Sequence, residues 1–434
     1  MEKKLFARYP IGNPRRRWRQ DNFILSIVNP GPMGLDKRSP RHCELARRSV
    51  ETAVAAGFDW MELLWASPEV GTEILRTAER LSSRVLYQDL RRFGGMGWSK
   101  QQLNENNDLL GAMRDTSAYS SIIGYSLYDE PIKPEQRAMT REMLLEAEAE
   151  RPDLLPFTVS DSSCIAEVAR EIDPAQLSFD HYPFGVGGAN LREEDQLDRS
   201  KLWYFFALAR REAAAIGAPF WFYYQGHELH YNKHIDFCFN AARVMAYGAI
   251  LYGAKQLADY IEFDGVLDPE TGGPGVFFEE QRALNREISM LGNTLMALEC
   301  RRVLHDAALI PEDVNGWEEL ATPMEESELL TGQLPRRISV SELRDEYGHD
   351  YLMVLNRDYH TARHVPITLR NTSHVFRVSA EDGLERLAED DVNKFYVYLP
   401  AGGFALYRIQ PQEKEAYLLE YYLDKAPRFA ANGI

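Results

Sequence analysis

Carboxylates and aromatic rings recur together at the ends of short apolar runs in this 434-residue chain. Glu62 is followed by Trp65, and Gln88 by Asp89. Tyr128-Asp129-Glu130-Pro131 and Asp180-His181-Tyr182-Pro183 set acid directly beside aromatic. Tyr224-Gln225-Gly226-His227-Glu228 and the Asp259-Tyr260 pair with Glu262 complete the set. Aromatic faces stack on the C–H faces of a pyranose, and carboxylates accept hydrogen bonds from hydroxyls, so a pocket made of these residues suits a sugar. Two carboxyl groups flanking a glycosidic bond also suffice to hydrolyse it. One, kept protonated, donates to the leaving oxygen; the other acts as nucleophile or activates water. Acids crowded in a low-dielectric pocket repel one another, which raises one of them into the range useful for donation.

These residues meet only if the runs before them are strands of one sheet. From about residue 22 to 300 short apolar runs alternate with amphipathic ones, the pattern of repeated β-α units around a parallel sheet. The strands expected are 23–29, 58–66, 84–90, one within 121–131, 155–160, 177–183, 218–226 and 254–263. Gly57 is placed to end the first helix, and Ser67-Pro68 to open the second. Eight strands, each followed by a helix, is the number that closes a barrel, and in such a barrel the strand C-termini carry the active site. No GxGxxG or GxxxxGK[ST] phosphate loop is present. Gly272-Gly273-Pro274-Gly275 reads as part of a loop over the barrel mouth, and Asp264 to Gly275 as a lid or a long surface connection.

After residue 300 the pattern becomes short alternating runs: RRISVSEL, DYLMVLNRD, HVPITLR, HVFRVSA, KFYVYLP and FALYRIQ. This predicts an antiparallel β domain, with Ala401-Gly402-Gly403 as a hairpin connection between its last two strands. The fold class expected is therefore α/β, a (β/α)8 TIM barrel followed by a small antiparallel β-sandwich. Its divisions are an arm at 1–21, the barrel at 22–300, the sandwich at 301–410 and a tail at 411–434.

A net charge of −17 argues against nucleic acid or an anionic membrane as partner, since an acidic surface is repelled by both. The four cysteines lie far apart, with no metal-binding spacing, so no metal and no cofactor is expected. Without an apolar N-terminal run a cytoplasmic location is expected, a trimmed secreted form being the other reading. The Arg15-Arg16-Arg17 run reads as a solvated arm or helix-edge cluster rather than a docking site.

GYSLYDEP, residues 124–131, resembles the strand-four motif of clan-A glycoside hydrolases, which usually reads G-Y-x-L-x-N-E-P. RVMAYGAILYGAKQLADY, residues 243–260, is similar to the passage from helix seven to strand eight of those barrels, and LMVLNRD with LPAGGFALYRI resembles their C-terminal β-sandwich. The resemblance spans about residues 22–410. It implies cleavage of an O-glycosidic bond in an oligosaccharide or glycoside, with Glu130 as general acid/base; relatives often self-associate, so a homo-oligomer is compatible with it. Asp129 stands where Asn is usual, a departure shared with sequences resembling family 42-type β-galactosidases. It adds charge beside Glu130. The second carboxylate usually ends strand seven, where this chain has Gln225, which cannot form a glycosyl-enzyme. Glu228 in the following loop is ranked first as its replacement and Asp180 second, with Glu62 on strand two a further rival. Asp129, Asp180, Tyr182, Gln225, Glu62, Trp65, Asp89 and Asp259 are the residues expected to bind substrate.

Two other readings compete. Gln225 also fits a catalytically weakened, carbohydrate-binding pseudo-glycosidase. His227, His230 and His234 are the only support for a metal-dependent enzyme of another class.

Overall fold

The structure is a computed structural model that describes residues 10–32, 36–64, 66–88, 108–184, 196–226, 237–260, 265–309, 311 and 314–412. Eight parallel strands close a barrel in chain order: β1 (Ile24–Val28), β2 (Trp60–Leu63), β3 (Arg84–Tyr87), β4 (Ile122–Asp129), β5 (Leu155–Asp161), β6 (Leu177–Asp180), β7 (Phe220–Gln225) and β8 (Gln256–Tyr260), with β8 pairing back to β1. All eight expected strands are present. Each is short and nearly wholly buried, because helices cover one face while side chains fill the other. The helices begin and end where the local chemistry directs. Ser67 accepts from the Val70 amide at 3.2 Å with Pro68 in the first turn of helix Pro68–Leu81, and Gly57 takes φ 87° just beyond helix Pro40–Ala55.

Alternation along the strands separates two apolar cores. One face packs outward against the helices through residues such as Leu25, Ile27, Met61, Leu127 and Phe222. The other fills the barrel with Ile24, Val28, Leu86, Leu155, Phe157, Trp221, Tyr223 and Ala258. Trp18 of the N-terminal arm packs edge-on against Trp60 and Trp221 near the strand N-termini, with ring centroids 6.4 and 5.7 Å away. Of the arginines before it, Arg16 is buried, while Arg15 and Arg17 are exposed as a solvated arm would be. Arg15 meets Asp173 at 2.6 Å and Arg16 meets Glu148 at 3.3 Å. Among the described residues no helix is long and apolar enough to cross a membrane.

The C-terminal part is a six-stranded antiparallel network in the order β13-β12-β14-β11-β10-β9. Its strands are β9 (Glu299–His305), β10 (Ile338–Arg344), β11 (Asp350–Asn356), β12 (Arg363–Val378), β13 (Glu385–Leu399) and β14 (Phe404–Pro411). Three details differ from the sequence expectation. β9 was not foreseen. HVPITLR and HVFRVSA form one strand, β12, whose pairing with β13 shifts register three times between Thr368 and Phe376. Ala401-Gly402-Gly403 is not a hairpin, because β12 lies between β13 and β14. The irregular β12–β13 ribbon is what makes a sandwich of one network. Val365, Ile367, Phe395 and Val397 share a core with Val340, Leu352, Val354 and Tyr407, while Met353, Leu355 and Leu406 join the core shared with the barrel helices.

The Gly-rich segment after β8 is tucked against the first helix. Thr52 Oγ1 donates to the Gly272 carbonyl at 2.8 Å, and a Cβ at Gly272 would stand 2.7 Å from the Leu45 carbonyl. This fits a surface connection rather than a lid.

Candidate active site

Strands β4, β5 and β6 bring three carboxylates together at their C-terminal ends. Asp161 and Asp180 are direct partners in the β5–β6 register, and Asp180 pairs with Tyr223 in the β6–β7 register, so the three side chains project side by side into the barrel. Glu130 reaches them through an irregular end to β4. The β4–β5 register shifts between Ser126 and Tyr128. The shift turns Tyr128 outward, where its hydroxyl accepts from Gln136 at 2.8 Å, and leaves Asp129 to face inward. Glu130 then takes φ 51°, a left-handed conformation that costs a residue with a Cβ about 1–2 kcal/mol. Its amide is held by the Val159 carbonyl at 3.2 Å. The result is a carboxyl oxygen each from Glu130, Asp161 and Asp180, all within 4.8 Å of one another.

Electrostatics at this cluster follow from crowding and burial. Asp180 is hydrogen-bonded to Glu130. Burial, followed by the charges of Glu130, Asp129 and Asp161, holds its carboxyl well above the usual range. Burial also raises Glu130, against the lowering effect of the Asp180 hydrogen bond. Two carboxyls so placed hold one proton between them. Asp129, 6 % exposed, is pushed up to about 7 by burial and then by the Glu130 charge.

An aromatic wall adjoins the acids. Tyr182 stacks on Tyr260 with ring centroids 4.6 Å apart and planes 25° apart. His181, pushed down to about 4 by burial, is neutral at pH 7 and packs edge-on against Phe205 at 4.8 Å. Gln225 is fully buried, and its Oε1 accepts from the Phe184 amide at 3.1 Å, fixing the loop that leaves β6.

The other expected site residues lie elsewhere. Glu62 is inside the barrel rather than at its mouth. It accepts from Ser26 Oγ at 2.6 Å, from Gln256 at 3.2 Å and from the Tyr223 hydroxyl, and burial raises it to about 7. Strand β2 continues past it through Leu63, which leaves Glu62 one layer below the rim. Asp259 points away from the barrel interior. Its neighbours Ala258 and Tyr260 belong to the interior cluster, and its carboxylate instead lies against Gly226. Both of its oxygens are buried without a partner among the described residues, and burial raises it to about 8. Trp65, Asp89, Glu228, Glu262, His227, His230 and His234 lie outside the described residues.

Asp161 and Tyr223 were not singled out as site residues from the sequence. Strand five was expected to end at Ser160, one residue short. Extending its alternation from Leu155 through Phe157 and Val159 points Asp161 inward. Tyr223 sits among aromatic residues that read as core. Its phenol joins the Glu62 layer to the acid cluster above, bearing electrostatically on Asp129 and Asp180.

No family model matches the sequence, and no curated protein matches it. Solved structures do match the fold. A β-galactosidase from Rahnella sp. R3 superposes with a TM-score of 0.53 at 9 % identity, over 89 % of this chain and 98 % of that one. An Anoxybacillus α-amylase superposes with a TM-score of 0.50 at 11 % identity, over 90 % of this chain and 98 % of that one. Identity this low speaks for architecture alone. Both matches run the length of the described molecule, so the chain shares the fold of glycoside hydrolases that join a (β/α)8 barrel to a C-terminal β-sandwich.

Proposed function

We propose that this chain is a glycoside hydrolase, with the chemistry carried by residues 22–300 and the sheet of residues 301–410 acting as a buttress. The supporting observation is the hydrogen-bonded Glu130–Asp180 pair at the C-terminal rim of the barrel, where active sites of this fold are built. Glu130 donates the proton held by the pair to the leaving oxygen as the C1–O bond breaks, and the Asp180 carboxylate bonds to C1. Water then attacks C1, giving its proton back to Glu130 and releasing Asp180. A hydrogen bond between the two carboxyls sets them closer than the ~5–5.5 Å of retaining enzymes and well short of the ~6.5–9.5 Å of inverting ones, so retention is the outcome this reading takes. The Tyr182–Tyr260 stack offers the ring face a pyranose needs.

Turnover of aryl glycosides by the wild type, Glu130→Gln, Asp180→Asn and Glu228→Gln tests the assignment. We expect loss of at least about 100-fold in Glu130→Gln, the scale of general acid catalysis. In Asp180→Asn we expect loss that azide restores as a glycosyl azide. Rescue in Glu228→Gln instead would move the nucleophile to Glu228. Sugar binding without hydrolysis across both anomers would favour the binding-only barrel, which rests on Gln225 being committed to Phe184.

A further inference from the structure

We propose that the substrate of this site is a basic glycoside, one whose ring carries a protonated amino group. The proposal deepens the glycosidase reading and rests on it. The charges bearing on Glu130 and Asp129 are acidic, and those bearing most on Asp180 are the acids Glu130, Asp129 and Asp161. No Arg or Lys among the described residues is paired with any of the three. Buried acids in proteins are ordinarily matched by a cation or by several donors. Two details show that, among the described residues, donors are missing here. Asp180 Oδ1 is buried with no hydrogen-bond partner among the described residues. Asp129 is 6 % exposed, faces the same space, and no hydrogen bond from a described residue acts on its carboxylate. These are acceptor positions left for something that enters from outside.

A neutral sugar supplies hydroxyl donors one at a time. An ammonium supplies three N–H donors and the opposite charge in one group, and hydrogen bonds to charged partners are about twice as strong as neutral ones. The same field opposes a uronic acid or a sulfated or phosphorylated sugar, whose charge would be desolvated beside carboxylates. Substrate sign is therefore selected both by attraction and by rejection.

The test compares hydrolysis at pH 7, where Asp129 is about half ionised, of 4-nitrophenyl glycosides of glucosamine, glucose and glucuronic acid, and of the corresponding galactose series, in both anomers. Binding of methyl glucosaminide, methyl glucoside and methyl glucuronide is measured by calorimetry in parallel. We expect the amino sugars to exceed the neutral ones by at least about tenfold in kcat/KM and in affinity, with the uronides weakest. Asp129→Asn is expected to reduce the amino-to-neutral ratio more than it reduces activity on the neutral sugar. Equal or better use of neutral sugars overturns the proposal while leaving the hydrolase intact. If no glycoside turns over, the binding ranks decide alone, and absence of an amino-sugar preference overturns it. Stoichiometric binding of Ca2+ or Mg2+ that Asp161→Asn abolishes would also overturn it, by assigning the vacant acceptors to a metal.

Discussion

The carboxyl of Asp180 is hydrogen-bonded to that of Glu130, although the two leave different strands and are 50 positions apart in the chain. Such a pair is lowest in energy with a single proton. Above the ordinary carboxyl range one group stays protonated, as an acid catalyst must at neutral pH. Replacing Asp180 by Asn removes the second charge and presents an N–H donor to Glu130, so Glu130 should then ionise at lower pH. Carboxyl 13C titration is expected to show one pair member titrating well above the usual range in the wild type and no such signal from Glu130 in Asp180→Asn. A raised folded-state pKa gives stability that is present below the unfolded value and lost as pH rises. Asp180→Asn should therefore gain stability relative to wild type as pH rises above the ordinary carboxyl range, from about pH 4 upward. An unchanged Glu130 titration would mean the proton is not shared.

Tyr223 ties that pair to the barrel interior through Glu62. Its hydroxyl donates to Glu62, whose other oxygen takes Ser26 and Gln256. Tyr223→Phe removes a donor from a buried carboxylate, a loss of about 1–3 kcal/mol. The donor favours the ionised form, so Glu62, already raised to about 7, should rise further. The stability attached to a raised acid disappears as pH climbs through its folded value. The penalty of Tyr223→Phe should accordingly be larger at pH 8 than at pH 5 in urea unfolding. A penalty independent of pH would show that Tyr223 contributes packing alone.

Each strand of the barrel was legible because it is a continuous apolar run buried on both faces, and position at a strand end marked Glu130 and Asp180 as candidates. Height and side were harder. Glu62 has the right parity, yet two more leucines follow it before the rim, and sequence alternation reports face without depth. Asp259 has the wrong parity: reading Tyr260 as inward forces its neighbour outward, behind the wall. Asp161 was lost to a strand end placed one residue early. Nothing local in Tyr128-Asp129-Glu130-Pro131 announces the register shift or the left-handed turn, since both depend on pairing with β5. In the sheet, β12 and β13 were misjudged for a related reason. The polar stretch at Arg370–Ser373 reads as a turn, but the ribbon carries it as an irregular, exposed continuation.

Arg357, just past β11, fastens the sheet to the barrel. Its guanidinium, wholly buried, meets Asp198 at 2.8 Å and Asp306 at 2.5 Å and lies 5.6 Å from the ring of Trp203. Asp306 is itself nearly inaccessible, at 3 % side-chain exposure. Arg357→Met would leave that acid buried without its cation, which costs about 3–5 kcal/mol in comparable pairs. We expect a drop of that size in the unfolding free energy, and partial recovery when Asp306→Asn is added, because the second change removes the stranded charge. Strict additivity of the two substitutions would contradict the coupling.

Asp259 and Gly226 are in contact across β7 and β8, and the contact constrains both. A Cβ on Gly226 would fall 1.7 Å from Asp259 Oδ1, so this position has no room for any side chain. Gly226→Ala should be destabilising by about 1–3 kcal/mol through overpacking, and Asp259→Ala in the same chain should restore most of the loss. Asp259 also has a pH signature of its own. Its acid form fits a site with no donor for either oxygen, and burial raises it to about 8. The unfolded chain ionises near the ordinary value, so the stability associated with Asp259 is fully present below about pH 4 and is lost as pH rises toward 8. Asp259→Asn cannot ionise and escapes that loss. In urea unfolding across pH, the variant is expected to gain on wild type steadily from pH 4 to pH 8, by at least about 1 kcal/mol at the upper end. A flat difference across that range would place a donor beside Asp259 and remove the basis for its raised pKa.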